Sequence, residues 1–268
     1  MIERCLDPKW KGLILNYIGD KYLYVPYFYS NLDKYGVESE HVSVWADVEN
    51  GAIVGAYLLY YDCLHFFTRE SDYPTEKVLD MIATVNAKVF FALSDIGTEL
   101  EPHLCSQYLI ERNYTIDITK MANDDIRAKV EAAEIKDLDE IVDLMLSDPE
   151  YQSIYSRSIL YAQMHARLSD RFGRLFVIRK DGKIVVTYSI YAETDNMAVL
   201  GGLLVHPQYR RQGLALDIVC HTCSILTKEK KRCITFVNFN NTPSLELHKK
   251  NGAVILSSLY KFVTHAAE

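Results

Sequence analysis

Apolar residues recur at helical spacing over 135–147, where Leu138, Ile141, Val142, Met145 and Leu146 share one face. Asp137, with Glu140 three residues on, predicts a capping box at the start of this helix. A second helical stretch covers 156–168. The period then falls to two, and strands are predicted over 175–178, 184–191 and 197–205. Asp181-Gly182 joins the first two as a two-residue hairpin turn, since both central positions of a type I′ turn need positive φ. The polar stretch 194–196 makes the next turn. Helical spacing returns from Gly213, with Ile218, Val219, Thr222, Ile225 and Leu226 on one face. A strand over 233–237, a short helix over 243–250 and an extended segment over 254–263 complete the chain. This order predicts a mixed α/β domain in which an antiparallel meander leads into a βαβ crossover.

The first half carries an echo of the second. Residues 45–57 align with 176–188 without a gap, matching an aromatic residue, a turn glycine, an isoleucine and a tyrosine. Asn50-Gly51 is the same kind of turn as Asp181-Gly182. Two hairpins of one type would look alike, and a duplicated unit would give the same pattern. Helical spacing near 75–87 and a strand over 89–93 extend the parallel to a shortened version of the same fold. The polar run 122–125 marks a boundary, giving domains at 1–124 and 125–268.

Composition narrows the partners. The chain has 268 residues, 49% hydrophobic and 24% charged, as expected of a globular protein. A net charge of −7 argues against nucleic acid or an anionic membrane as the main partner. The first residues lack the basic-then-apolar pattern of a signal peptide, and no apolar run approaches the roughly 20 residues of a membrane helix. Six scattered cysteines suggest reduced thiols rather than a disulfide scaffold. A cytoplasmic monomer or homodimer is expected.

The segment most informative about chemistry is 203–215, Leu203-Leu204-Val205-His206-Pro207-Gln208-Tyr209-Arg210-Arg211-Gln212-Gly213-Leu214-Ala215. A strand ends at Val205, Pro207 prevents its continuation, and a helix opens near Gly213. Backbone N–H groups at a helix start face an anion together. Gly213 permits close approach, Ala215 is small, and Arg210 and Arg211 add positive charge to an otherwise acidic chain. Cys220 and Cys223 lie three apart on the predicted helix with no second pair at zinc-site spacing, so no metal site is expected.

The Arg-x-x-Gly-x-Ala pattern here, entered through strand-His-Pro, resembles the signature of the GNAT N-acyltransferase superfamily. The stretch 241–253, with Asn241 and Ser244 before a short helix that ends at Gly252, resembles that family's second motif. The resemblance covers about 129–262. It implies a GNAT-like fold with a splayed, mostly antiparallel central sheet flanked by helices, and a smaller, degenerate related domain in the first half that has lost its phosphate loop. It implies acetyl-CoA, or another acyl-CoA, as co-substrate. The amides of Arg211, Gln212, Gly213, Leu214 and Ala215 would hold the pyrophosphate, and the main chain of Leu203, Leu204 and Val205 would pair with the pantetheine arm. Asn241 and Ser244 would contact that arm, and Lys228, Lys230, Lys231 and Arg232 could meet the 3′-phosphate.

The pattern breaks at His248, where many family members carry a tyrosine that protonates the departing thiolate. His248 is therefore a candidate acid beside the thioester or a structural histidine. Glu193, at the end of the second hairpin strand, is the candidate base, with Tyr188 and Tyr260 as further donors. Tyr151, Tyr155, Arg157, Tyr161 and Arg167 are candidates for the acceptor opening. The expected activity is transfer of an acetyl (acyl) group to an amine of a small molecule or peptide. The alternatives are a non-catalytic acyl-CoA-binding regulatory protein and a hydrolytic or ester-forming acyltransferase.

Overall fold

In the computed structural model, residues 1–154, 156–169 and 173–264 are described. They divide into two compact units. One comprises the described residues within 1–116, 236–242 and 255–264, and the other those within 117–235 and 243–254. This differs from a single cut after 124. The closing strand, although last in sequence, is hydrogen-bonded into the sheet of the first unit.

The second unit is built as the hydrophobic pattern predicts. A short strand β7 (Val130–Ala132) is followed by helices α5 (Leu138–Leu146), α6 (Pro149–Ile154) and α7 (Arg157–Ser169). The meander β8 (Arg174–Lys180), β9 (Lys183–Glu193) and β10 (Met197–Val205) follows, then helix α8 (Leu214–Lys228), strand β11 (Arg232–Asn238) and helix α9 (Thr242–Lys250). The strand order is β11-β10-β9-β8-β7. Only β10 and β11 run parallel, as a crossover through a helix requires. Leu138, Ile141, Val142, Leu160 and Met164 of α5 and α7 pack with Leu175, Val177 and Leu204. Phe176, which alternates with these along β8, lies against His221 of α8, with ring centroids 6.3 Å apart.

The predicted capping box sits one turn earlier than expected. Glu134 is its first member, and its N–H donates to the Asp137 carboxylate at 2.9 Å. Glu140 instead accepts the backbone N–H of Ile184 at 2.6 Å. The three-residue spacing from Glu134 to Asp137 satisfies the same motif and starts a tight first turn ahead of α5.

The first unit repeats this order. Strand β1 (Ile2–Arg4) and helices α1 (Lys9–Ile18) and α2 (Pro26–Tyr35) precede the meander β2 (Val42–Glu49), β3 (Ala52–Tyr60) and β4 (Cys63–Thr68). Helix α3 (Thr75–Val85), strand β5 (Val89–Leu93), helix α4 (Ser94–Leu104) and strand β6 (Tyr108–Asp117) follow. Here too β4 and β5 are parallel across a helix. The last strand of the chain, β12 (Val254–Thr264), pairs antiparallel with β5. Phe28, Leu32 and Leu58 fill one face of this sheet, and Tyr57, Met81, Ile82 and Leu100 the other.

The echo between the halves extends to backbone detail. Asn50 and Gly51 have φ of 51° and 81°, and Asp181 and Gly182 have φ of 51° and 80°. Both hairpins then slip register at the same place. Asp47 pairs Gly55 and Val48 pairs Ile53, while Ile178 pairs Val186 and Arg179 pairs Ile184. A one-residue bulge at the same distance from the same turn is a stronger match than shared hairpin composition would produce.

Gly97 tests packing in the first unit. A Cβ there would lie 2.8 Å from the Tyr260 Cβ and nearer still to its ring, whereas one at Gly12 in α1 would meet nothing within 4 Å. Gly97→Ala should therefore cost about 1–3 kcal/mol. Gly12→Ala should stabilise by roughly 0.5–1 kcal/mol. Urea unfolding of both variants checks the opposite signs.

Candidate active site

The site begins where two strands part. β10 pairs with β11 only from Met197↔Arg232 to Leu200↔Thr235. Beyond that, β10 keeps its pairing with β9 alone, through Leu204↔Thr187 and Val205↔Val186. Gly201 and Gly202 stand at the departure point, and Gly202 has φ of +63°, a bulge conformation open to glycine. The β10 edge from Leu203 to Val205 thus has no strand partner on the side facing away from β9, where the Arg210 side chain takes the Val205 carbonyl, as a strand-edge recognition site requires.

The chain then turns into α8. The N–H of His206 donates to the Val185 carbonyl at 2.8 Å, extending the β9 pairing by one residue. Pro207–Tyr209 forms a single 3₁₀ turn, with Pro207 supplying the fixed φ of its first position. Arg210 Nε donates to the Val205 carbonyl at 3.1 Å, and its guanidinium lies 3.7 Å from Asp148. Arg211 and Gly213 both have positive φ, 64° and 83°. Such alternation turns successive amides inward as a concave nest for an anion. Leu214 is buried and anchors the helix start, while Arg211, Gln212 and Gly213 are exposed. A Cβ on Gly213 would meet no atom within 4 Å, so the concavity is open. The first-turn carboxylate that would oppose an anion, Asp217, is turned away and accepts the Ala128 N–H at 3.0 Å. The first amides of α8 have no intrahelical acceptor and carry the positive end of the helix dipole.

The remaining predicted residues divide. Asn241 lies in the turn before α9 and Ser244 in its first turn. His248 follows on α9 and is buried, 2% exposed, with Nδ1 3.5 Å from the Met121 sulfur. Burial lowers its pKa from 6.5 to about 4, so the ring is neutral at pH 7. Glu193 is not brought to the loop. It ends β9 opposite Ala198, whereas the loop leaves β10 beside Val186, about 20 Å along the strand. Its carboxylate takes both Nε and Nη2 of Arg174, at 3.1 and 3.0 Å, and is also paired with Lys231. The strand end needed a counter-charge for two half-buried cations, and Glu193 supplies it.

The cationic run after α8 is likewise placed elsewhere. It lies at the far end of a 15-residue helix, about 22 Å from the loop. Lys228 pairs with Asp124, Lys231 with Glu193 and Glu229, and Arg232 with Asp117. Tyr188 is buried on the α8 side, where desolvation pushes its phenol well up. Tyr260 belongs to the first unit and donates to Glu101 at 3.1 Å. Arg157 is held by Asp139 and Asp143, at 2.7 and 3.1 Å. Tyr155 and the Arg167 side chain lie outside the described residues.

One feature escaped the strand pattern. Tyr191 is the extra residue where β9 slips against β10, between Ala192↔Val199 and Ile190↔Leu200. Its ring lies over Gly201 and Gly202. Two adjacent glycines inside a strand were the available sign, since glycine there marks a bulge or a close approach.

Residues 138–253 match the model of the acetyltransferase (GNAT) family. These residues form a GNAT acetyltransferase domain. The family is one of acyl transfer from acyl-CoA. A search of curated proteins finds no match to the chain. Among solved structures, a Drosophila protein is similar with TM-score 0.67 at 13% identity, over 98% of each chain. A tandem GNAT protein from the clavulanic acid biosynthesis pathway has TM-score 0.62 at 13% identity, over 100% of this chain and 99% of its own. A GNAT-family acetyltransferase from Colwellia psychrerythraea has TM-score 0.59 at 13% identity, over 99% and 100%. At such identities the likeness concerns the fold, which is GNAT-like. No helix among the described residues is long and apolar enough to cross a membrane.

The depressed His248 pKa makes a stability prediction. A histidine that is neutral when folded and titrates normally when unfolded contributes fully above pH 6.5 and loses that contribution as pH falls toward 4. The loss should reach about 2 kcal/mol by pH 5. His65, which burial shifts down to about 3, adds a similar slope. In urea unfolding at pH 7 and pH 5, His248→Phe should lose about 2 kcal/mol less than wild type over that interval.

Proposed function

We propose that this protein is an acyl-CoA-dependent N-acyltransferase that transfers an acetyl or similar acyl group to an amine of a small molecule or peptide. The observation that carries the reading is the nest at Arg211 and Gly213, opening α8 directly beyond the free edge of β10. A dianionic pyrophosphate suits the nest, and an extended amide-bearing arm suits the edge. On this reading the amides from Arg211 to Ala215 hold the pyrophosphate. The main chain of Leu203, Leu204 and Val205 holds the pantetheine arm, with Asn241 and Ser244 as further contacts.

The chemistry is attack by the neutral amine nitrogen on the thioester carbonyl. A C–N bond forms, the C–S bond breaks, the nitrogen gives up one proton as it becomes an amide, and the sulfur leaves as a thiolate that takes up one, so the step is balanced. The site's contribution is to align the two reactants and to offer main-chain donors to the carbonyl oxygen. His248, neutral at pH 7, is assigned to the wall behind α9 rather than to proton donation. Glu193 is assigned to its ion cluster. The first unit is read as a degenerate copy without a phosphate loop. No glycine lies between Thr68 and α3, which starts after Pro74 with Glu76 in its first turn, a charge that opposes an anion there.

The absence of an acid at position 248 favours a second reading, a non-catalytic acyl-CoA-binding protein. Release of CoA thiol from acetyl-CoA over a panel of primary amines distinguishes them. Turnover with at least one amine is expected, and tight binding with no turnover would support the second reading.

Gly213→Val tests the nest separately. Open space around the added side chain limits the fold's loss to backbone strain of about 1–2 kcal/mol. The side chain would occupy the anion's place, so the Kd for CoA measured by calorimetry should rise at least tenfold. An unchanged Kd would remove the nest from the site.

A further inference from the structure

The acyl end of the proposed cleft has features that the family signature does not cover. Two slips of opposite sense bracket it. β9 carries one extra residue at Tyr191, and β10 carries one extra between Gly201↔Ser189 and Leu204↔Thr187. The Tyr191 ring fills the space left by the two glycines. A Cβ on Gly201 would lie 2.9 Å from ring carbon Cδ2 and closer still to Cε2. One on Gly202 would lie 3.3 Å from Cζ and closer to Oη. The ring therefore extends from β9 over β10 at the point where β10 has left β11.

A buried hydroxyl lies beside the same point. Ser189 is fully buried, its Oγ has no hydrogen-bond partner, and it lies 3.3 Å from the Cβ position of Gly202. Thr187, two residues back on the same face, is also fully buried with an unpartnered Oγ1. Unmatched buried hydroxyls are costly and do not favour a hydrocarbon neighbour. On its other side the Tyr191 ring packs against the apolar cluster of α5, α7 and Leu204.

We infer that Tyr191 closes the inner end of the acyl cleft and restricts the donor to short acyl groups. The inference rests on the acyl-CoA reading above. An arm paired with Val205 and Leu203 advances about 3.3 Å per residue. The group it carries then arrives beside Gly202 and Gly201. There it meets the Tyr191 phenol, which opposes a longer alkyl chain, with the buried Ser189 hydroxyl beneath. Behind the ring is apolar core, so shortening residue 191 opens a space suited to such a chain.

The test is calorimetric binding of CoA, acetyl-CoA, butyryl-CoA and octanoyl-CoA to wild type and to Tyr191→Ala and Tyr191→Leu. Leucine retains apolar packing should alanine compromise folding. Wild type is expected to bind octanoyl-CoA at least tenfold more weakly than acetyl-CoA. Either variant should narrow that ratio at least tenfold while the Kd for CoA itself stays within about twofold. Wild type that binds octanoyl-CoA as tightly as acetyl-CoA, or variants that keep the wild-type ratio, would overturn the inference and leave the acyl-CoA reading standing. Wild type that binds none of the four would overturn both.

Discussion

β10 stops pairing with β11 after Leu200 and Thr235, and the proposed site of the second unit depends on that parting. A fully paired central strand has no main-chain groups to offer. A fully unpaired one has no rigid frame. Here β9 holds one edge of β10 through Val205 while the other edge is released, so the exposed amides and carbonyls sit on a fixed backbone. The bulge at Gly202 produces the divergence, and the continued β9 pairing prevents it from spreading. The same rigidity aims the loop, because His206 remains tied to Val185 before the chain turns into α8.

Electrostatics in this unit follow position along the strands. At the loop end, positive character comes from amides, the start of α8 and the exposed Arg211, while Arg210 is paired with Asp148 and the Asp217 carboxylate is occupied by the Ala128 N–H. At the opposite end, Arg174, Lys231, Glu193 and Glu229 neutralise one another. The proposed anion site thus needs no large basic patch in an acidic chain. A few aligned dipoles in a concave backbone act on a short range that net charge does not describe.

Much of this was legible in the sequence, because period and turn chemistry are local. The Asp181-Gly182 turn, the meander, the entry through Pro207 and the Gly213 helix start all follow from residues a few positions apart. What was less legible depends on distant residues. Glu193 reads as a free carboxylate until Arg174 and Lys231 are placed beside it. His248 reads as a titrating group until burial against Met121 removes its water. Tyr191 reads as an ordinary strand tyrosine, because a bulge on one strand is defined only against its partner. The cap shifted from Asp137 to Glu134 because both offer a carboxylate at the motif's spacing, and tertiary pairing of Glu140 with Ile184 selected one.

The placement of β12 has a consequence for how the molecule is made. Strand β5 is flanked on one side by β4, and its other edge is filled by Leu259 to Val263, which follow the body of the second unit in sequence. During synthesis the first unit emerges with that edge bare, and it stays so until some 170 further residues have been added, roughly 10–30 s at ordinary elongation rates. Phe90 and Ala92 wait that long for Phe262 and Tyr260. An exposed strand edge of this kind is a site of mispairing between nascent chains. The two halves of the repeat are therefore not finished in the order in which they are translated, and the unit begun first is completed only by a strand that follows the body of the second.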